Sequence, residues 1–185
     1  DSTSGFELSP LNLYGFSKVL FDRYFENQMK FKKKLPASCF GLKFFNVYGP
    51  QEYHKGDMAS VVFKAYNQIS KNNSLSLFKS DNPDYKDGYQ MRDFVYVKDI
   101  TSWMYQLMNK KNIHGIFNMG YGKARPWMHL AEEVFKNMNK PIKIDWIPIP
   151  DYLKPKYQYF TEAKINKLME LGLTKPQFDI EKGVA

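Results

Sequence analysis

Only one cysteine, Cys39, occurs in 185 residues, so no disulfide can close within the chain and a reducing compartment is expected. No apolar run approaches the roughly 20 residues of a membrane-spanning helix, and the polar first residues do not resemble a signal peptide. Internal repeats and low-complexity tracts are missing too. So is a strand followed by a glycine-rich turn and a helix, the arrangement that holds the pyrophosphate of a dinucleotide. Gly120-Tyr121-Gly122 comes late in the chain and lacks a third glycine. Charge is not clustered: Lys32-Lys33-Lys34 is read as a solvated turn after a helix, and the other lysines are dispersed.

What is there suits a packed core. With 43% hydrophobic and 17% aromatic residues, the composition argues against single-domain disorder. At 185 residues the chain makes one domain, or the larger part of one. The net charge of +8 is spread out and is not interleaved with a base-stacking platform, which argues against a nucleic-acid partner. Dispersed positive charge fits an anionic small molecule such as a nucleotide diphosphate.

Along the chain, residues 1–8 read as a loop and Ser9-Pro10 as a helix cap, followed by Leu13, Phe16, Leu20 and Tyr24 at helical spacing. The helix is expected to end near residues 30–34, before Pro36. Residues 37–47 form a short apolar run, read as one buried strand. Met58, Val61, Val62, Ala65 and Ile69 mark the next helix. Strands are expected at residues 74–78, 94–97, 116–119 and 142–147, with a polar loop over 80–90. Helices are expected after Asp99 as a cap, over 127–138, and over 161–171 with Gly172 as the stop. Strands alternating with helices point to α/β architecture with a parallel sheet. Ligands in such sheets bind beyond the carboxyl ends of strands, which singles out Asn46, Val47 and Tyr48. The missing glycine-rich opening, and an end at Gly183-Val184-Ala185 inside a starting helix, suggest a segment of a longer protein.

Tyr14 and Lys18 lie four residues apart, one helical turn, on one face. An ammonium beside a phenol favours the phenolate and makes a general acid/base for a hydroxyl substrate. The same spacing also occurs as a plain surface pair on an amphipathic helix.

Three stretches occur in order: Tyr14-Gly15-Phe16-Ser17-Lys18, then Phe45-Asn46-Val47-Tyr48-Gly49-Pro50, then Arg92-Asp93-Phe94-Val95-Tyr96-Val97 with Asp99. Together they resemble the second half of the extended short-chain dehydrogenase/reductases that act on nucleotide sugars. Within that family, His54-Lys55-Gly56 and Met58-Ala59-Ser60 are similar to the loop of the heptose-nucleotide epimerases, as is Tyr157-Gln158-Tyr159-Phe160-Thr161. The likeness runs from about Leu11 to Ala185.

The resemblance implies an α/β fold, the C-terminal part of an NAD(P)-binding Rossmann-type protein with a smaller α/β substrate-binding domain. Residues 1–50 would belong to the Rossmann-type domain and 51–185 mainly to the substrate domain, with 92–119 returning to the first. The implied reaction converts ADP-D-glycero-D-manno-heptose to the L-glycero epimer at C6'' by transient oxidation and re-reduction with bound NADP, or NAD. It further implies a cytoplasmic enzyme supplying lipopolysaccharide inner-core heptose, homo-oligomeric when complete, and inactive as this segment alone. No membrane partner is implied. Tyr14, Lys18 and Lys55 would be catalytic, and these three with Val47 would touch the cofactor. Asn46, Asp57, Lys64, Phe78, Lys79, Ser80, Asp81, Arg92 and Tyr157 would touch the sugar nucleotide, and no metal ligand is assigned. Asp57 stands where the family has serine. Structural readings stay open beside these roles. Asn46 could close a strand-end turn, Lys64 could be solvated, Arg92 could pair only with Asp93 or Asp99, and Tyr157 could be surface packing. Another nucleotide-sugar epimerase or dehydratase is the alternative activity, and a non-catalytic nucleotide-sugar-binding module is the alternative class.

Overall fold

Residues 8–31 and 35–185 are described in the computed structural model. The expectations for residues 1–7, and for the turn at Lys32, Lys33 and Lys34, lie outside them.

Helix α1 spans Leu13–Lys30. It starts later than Ser9-Pro10 suggests, because Asn12 is the cap: its side-chain oxygen accepts from the Gly15 amide at 2.7 Å. Val19, Asp22 and Phe25 are buried, whereas Leu13, Tyr14, Phe16, Leu20, Phe21 and Tyr24 remain exposed.

The apolar run over residues 37–47 is two strands rather than one. β1, Cys39–Phe44, pairs in parallel with β5, His114–Met119, as far as Phe44 beside Met119. The Phe45 amide still donates to the Met119 carbonyl, but the Val47 amide donates to the Phe45 carbonyl at 2.9 Å. That kink lets the chain change partner, so β2, Asn46–Tyr48, runs beside β4, Met91–Tyr96. On its other edge β4 takes β6, Ala124–Pro126, in the antiparallel sense. A separate parallel pair joins β3, Leu75–Phe78, to β7, Ile144–Ile147.

A 3-10 turn, Tyr53–Met58, leads into α2, Val61–Asn72, whose cap is Ser60. α3 spans Val97–Met108, α4 Trp127–Asn137, α5 Asn166–Glu170 and α6 Ile180–Val184. Asp99 is not the cap of α3. It lies in the first turn and accepts from the Gln177 and Phe178 amides at 2.9 and 3.1 Å, tying down the last segment of the chain. The helix expected over 161–171 shrinks to α5 because residues 160–163 are held beside β4 instead, with Phe160 bridged to Met91 in the parallel sense. Thr161 donates to the Met91 carbonyl at 3.2 Å, and Ala163 to Asp93 Oδ2 at 3.0 Å.

Neighbouring residues of a strand point to opposite faces, and β4 uses this to serve two cores. Phe94 joins Tyr48, Ile69, Leu77, Leu130 and Phe135, while Val95 joins Trp103, Leu107, Phe117 and Leu168. Two residues before Val95 and on its face, Asp93 is fully buried and accepts from three amides, those of Tyr121, Gly122 and Ala163, at 2.6, 2.9 and 3.0 Å. Burial pushes its carboxyl up, and the three amides pull against that. Gly120 is needed here, since a Cβ would lie 2.4 Å from Cβ of Ala163. No helix among the described residues is long and apolar enough to cross a membrane.

Candidate functional site

Two adjoining cavities open around the start of α2, and Val61 lines both. The first, of about 250 Å³, takes Asn46 and Val47 from β2 and Glu52, Lys55 and Ser60 from the loop that follows. Three residues singled out in the sequence, Asn46, Val47 and Lys55, therefore share one space. The chain leaves β2 through Gly49 at φ 138°, where a Cβ would lie 2.6 Å from Val97 Cγ1, so only glycine fits the turn.

The second cavity, of about 240 Å³, is lined by Leu77, Phe78, Gln90, Arg92, Trp127 and Tyr157 among others. Arg92 does not pair with Asp93 or Asp99, whose carboxylates accept from backbone amides instead. Its Nη1 donates to the Met91 carbonyl at 2.8 Å, and its guanidinium lies 5.8 Å from the Trp127 ring centroid and 5.4 Å from that of Tyr157. Burial pushes the guanidinium below its ordinary value, with Tyr157 opposing the shift. Phe78 meets Tyr157 edge-on, centroids 6.1 Å apart and planes at 85°. Burial raises the Tyr157 phenol, and the nearby guanidinium offsets part of that rise. The result is an aromatic slot beside a planar cation without an acidic partner among the described residues. Such a slot can take a flat ring on its faces and an anionic group at the guanidinium.

Tyr14 and Lys18 line neither cavity. Both are exposed on α1, and the ammonium sits over the Tyr14 ring, 5.0 Å from its centroid. Asp57 and Lys64 also lie outside the two linings, and Lys64 Nζ donates to the Asp57 backbone carbonyl. The Lys79 amide prolongs the β3–β7 ladder to the Ile147 carbonyl at 2.8 Å. Ser80 donates its amide to Asp87 at 2.7 Å and its hydroxyl to the Asn82 carbonyl at 2.8 Å. Asp81 faces Lys154 at 3.4 Å.

Glu52, Gln90 and Trp127 complete the two linings without having been singled out by sequence. Gln90 is fully buried, and its amide nitrogen lies 3.4 and 3.3 Å from the Phe78 and Lys79 carbonyls, leaving Oε1 without a partner among the described residues. Nothing local distinguishes a glutamine in a turn-rich stretch. Trp127 opens a helix already recognisable by its periodicity, so its aromatic ring reads as core.

Comparison with known proteins gives a consistent set of likenesses. Residues 1–120 match the NAD dependent epimerase/dehydratase family. The chain is 46% identical over 184 residues to the ADP-L-glycero-D-manno-heptose-6-epimerase of Nitratidesulfovibrio vulgaris strain Hildenborough, covering 100% of this chain and 55% of that protein. It is 49% identical over 184 residues to the protein of the same name from Fusobacterium nucleatum subsp. nucleatum, covering 96% and 54%. Among solved structures, the ADP-L-glycero-D-manno-heptose-6-epimerase of Helicobacter pylori superposes with a TM-score of 0.76 at 28% identity, over 99% of this chain and 52% of that one. The UDP-glucose 4-epimerase of Thermus thermophilus, solved with NAD, gives a TM-score of 0.75 at 22% identity over 99% and 55%, a likeness of fold alone. The chain spans about half the length of the curated relatives it matches.

Proposed function

The chain belongs to the NAD dependent epimerase/dehydratase family, and from that premise we propose that the protein carrying it epimerises ADP-D-glycero-D-manno-heptose at C6''. Its α/β fold is the one its solved relatives share, as the sequence motifs imply. The juxtaposition of the two cavities across Val61 supports the substrate most directly. One offers Arg92 to a diphosphate with Phe78 and Tyr157 flanking it, and the other offers Asn46 and Lys55 to a sugar. A nucleotide sugar needs both kinds of contact within one molecule's reach.

In this reading a bound nicotinamide cofactor, NADP or NAD, supplies the acceptor and donor of hydride. Tyr14, Lys18 and Val47 would hold its nicotinamide end, and the exposed hydroxyl and ammonium on one face of α1 fit that role. The fit concerns that end only, since these residues include no glycine-rich turn for the pyrophosphate. The Tyr14 phenolate oxygen would take the proton of the C6'' hydroxyl and, as the phenol, return it. Lys55 would do the same when the sugar presents its other face, which is why inversion calls for two proton-transfer groups. Lys64 would act from the loop edge, through Asp57, and Lys79, Ser80 and Asp81 from the rim of the nucleotide slot.

The two cores that meet on β4 support a division into a Rossmann-type part, residues 1–50 with 92–119, and a substrate part over most of 51–185. The exposed apolar face of α1 fits burial in a homo-oligomer of the complete protein. The reading places the enzyme in the cytoplasm, supplying heptose for lipopolysaccharide, with the lone Cys39 suited to a reducing compartment.

The test is to incubate the complete protein with NADP and ADP-D-glycero-D-manno-heptose and follow the C6'' configuration by NMR. Inversion is expected. Epimerisation of UDP-glucose without turnover of the ADP-heptose would replace this reading with another nucleotide-sugar epimerase of the same fold.

A further inference from the structure

Glu52 is buried, 5% exposed, although Gln51 before it and all six residues of the 3-10 turn after it are exposed. A carboxylate is withdrawn from water in an otherwise solvated loop only where strong partners compensate. Its two oxygens divide the donors of one residue: Oε2 accepts from the Ser60 amide at 2.6 Å, and Oε1 accepts from the Ser60 hydroxyl. That hydroxyl in turn accepts from the Phe63 amide at 3.3 Å, the N-cap bond of α2. The carboxylate therefore faces the positive end of a twelve-residue helix through its cap, where negative charge is favoured.

The contact closes the base of the loop that carries Lys55. Within it the Lys55 amide donates to the Glu52 carbonyl at 3.0 Å, and Gly56 takes φ 52°, ψ −125°, a conformation open to glycine. Gln51 sits at φ 71°, in the left-handed region, and turns the backbone so that the next side chain runs inward. Two further ties reach the same first turn of α2. The Tyr53 ring meets Phe63 edge-on at 5.5 Å, and Lys64 Nζ reaches the Asp57 carbonyl. Both of these lie on the exposed side, so Glu52 is the buried anchor of the three.

The geometry points to Glu52 as the positioning residue for Lys55, stapling the 3-10 turn to α2 so that the ammonium is presented to the cavity beside Asn46 and Val47. This rests on the proposed role of Lys55 in proton transfer. It adds that Lys55 is placed by a carboxylate that exchanges no proton with the substrate. Proton transfer is sensitive to small displacements, and a misplacement of about 1 Å can cost on the order of a hundredfold in rate. A carboxylate suits the task because it accepts from amide and hydroxyl at once. Glutamine keeps one accepting oxygen, and alanine keeps none.

The experiment compares Glu52→Ala, Glu52→Gln, Lys55→Ala and the double variant Glu52→Ala/Lys55→Ala in the complete protein, with NADP and ADP-D-glycero-D-manno-heptose. Glu52→Ala is expected to lower kcat by about 10- to 100-fold with KM within about threefold, and Glu52→Gln to recover much of that loss. The double variant should be no slower than Lys55→Ala, since both changes remove one function. Amide hydrogen exchange, which needs no substrate, should accelerate at residues 53–63 in Glu52→Ala and stay unchanged in the two cores. Unchanged exchange in that loop would overturn the anchor. Accelerated exchange with kcat within twofold of wild type, or fully multiplicative losses in the double variant, would overturn the link to Lys55. A wild-type protein inert toward the ADP-heptose would instead overturn the functional reading and Lys55's role with it, while exchange still decides whether Glu52 holds the loop.

Discussion

The Arg92 guanidinium lies 5.4 Å from the centroid of the Tyr157 ring, partly buried and without a carboxylate partner among the described residues. A half-buried cation of this kind is costly unless a ligand completes it, and the slot formed with Phe78 and Trp127 leaves room for one. Asp93 and Asp99 accept from backbone amides, and neither forms an ion pair with Arg92.

Replacing Arg92 by alanine is therefore expected to raise KM for the ADP-heptose by about 10- to 100-fold, the worth of a charge-assisted hydrogen bond, with a smaller effect on kcat. Arg92→Lys should fall between, since it keeps the charge but loses the planar fork. Calorimetric titration with ADP alone checks the same contact. Unaltered ADP affinity in Arg92→Ala would remove Arg92 from the phosphate site.

Tyr14→Phe keeps the ring, and with it the contact to the Lys18 ammonium, while deleting that side chain's transferable proton. The loss in kcat should be about 10²- to 10⁴-fold, with substrate binding within a few-fold of wild type. Wild-type-like turnover by the phenylalanine variant would sink the assignment.

Lys55 and Lys64 are separable. Lys55 lines the cavity and Lys64 is committed to the Asp57 carbonyl. Lys55→Ala should lower kcat about as far as Tyr14→Phe does, whereas Lys64→Ala should raise KM by less than about tenfold and leave kcat within a few-fold. Steady-state kinetics on both variants is sufficient. A pure KM effect in Lys55→Ala would make it a binding residue.

Tyr48 gives a prediction about stability. It is 3% exposed, donates to the Asp179 carbonyl at 3.3 Å, and its phenol is pushed well above the ordinary tyrosine value, chiefly by burial. In the unfolded chain the same phenol ionises near about pH 10. A folded-state value above the unfolded one means the contribution is full below about pH 10 and is lost as the pH rises from there toward the folded value. Urea midpoints should fall between pH 8.5 and 11, and Tyr48→Phe should flatten part of that fall. An equal slope in both proteins would show that other groups govern alkaline unfolding.

Much of the architecture is local and can be read from the chain. The period of Val61, Ala65 and Ile69 with Ser60 before them makes a capped helix, and Tyr14 and Lys18 must share a face if their segment is helical. The motifs around Asn46 and Lys55 likewise mark a strand end and its loop, and these residues do meet in one cavity. What the sequence could not decide is which of several equivalent partners each polar group would choose. The kink at Phe45 depends on whether an amide bonds within its own strand or to a neighbour. The short α5 depends on Phe160, Thr161 and Ala163 being held beside Met91 and Asp93 of β4. Arg92 is left without an acidic partner among the described residues, while Asp93 beside it and Asp99 further along accept from residues 28 to 79 positions away. Glu52 turns inward because Ser60 stands ready with two donors at a helix end. Helical and strand periods follow from backbone geometry over a few residues, so sequence alone determines them. The pairing of buried donors and acceptors is settled among distant segments competing for the same partners, and only the tertiary structure decides it.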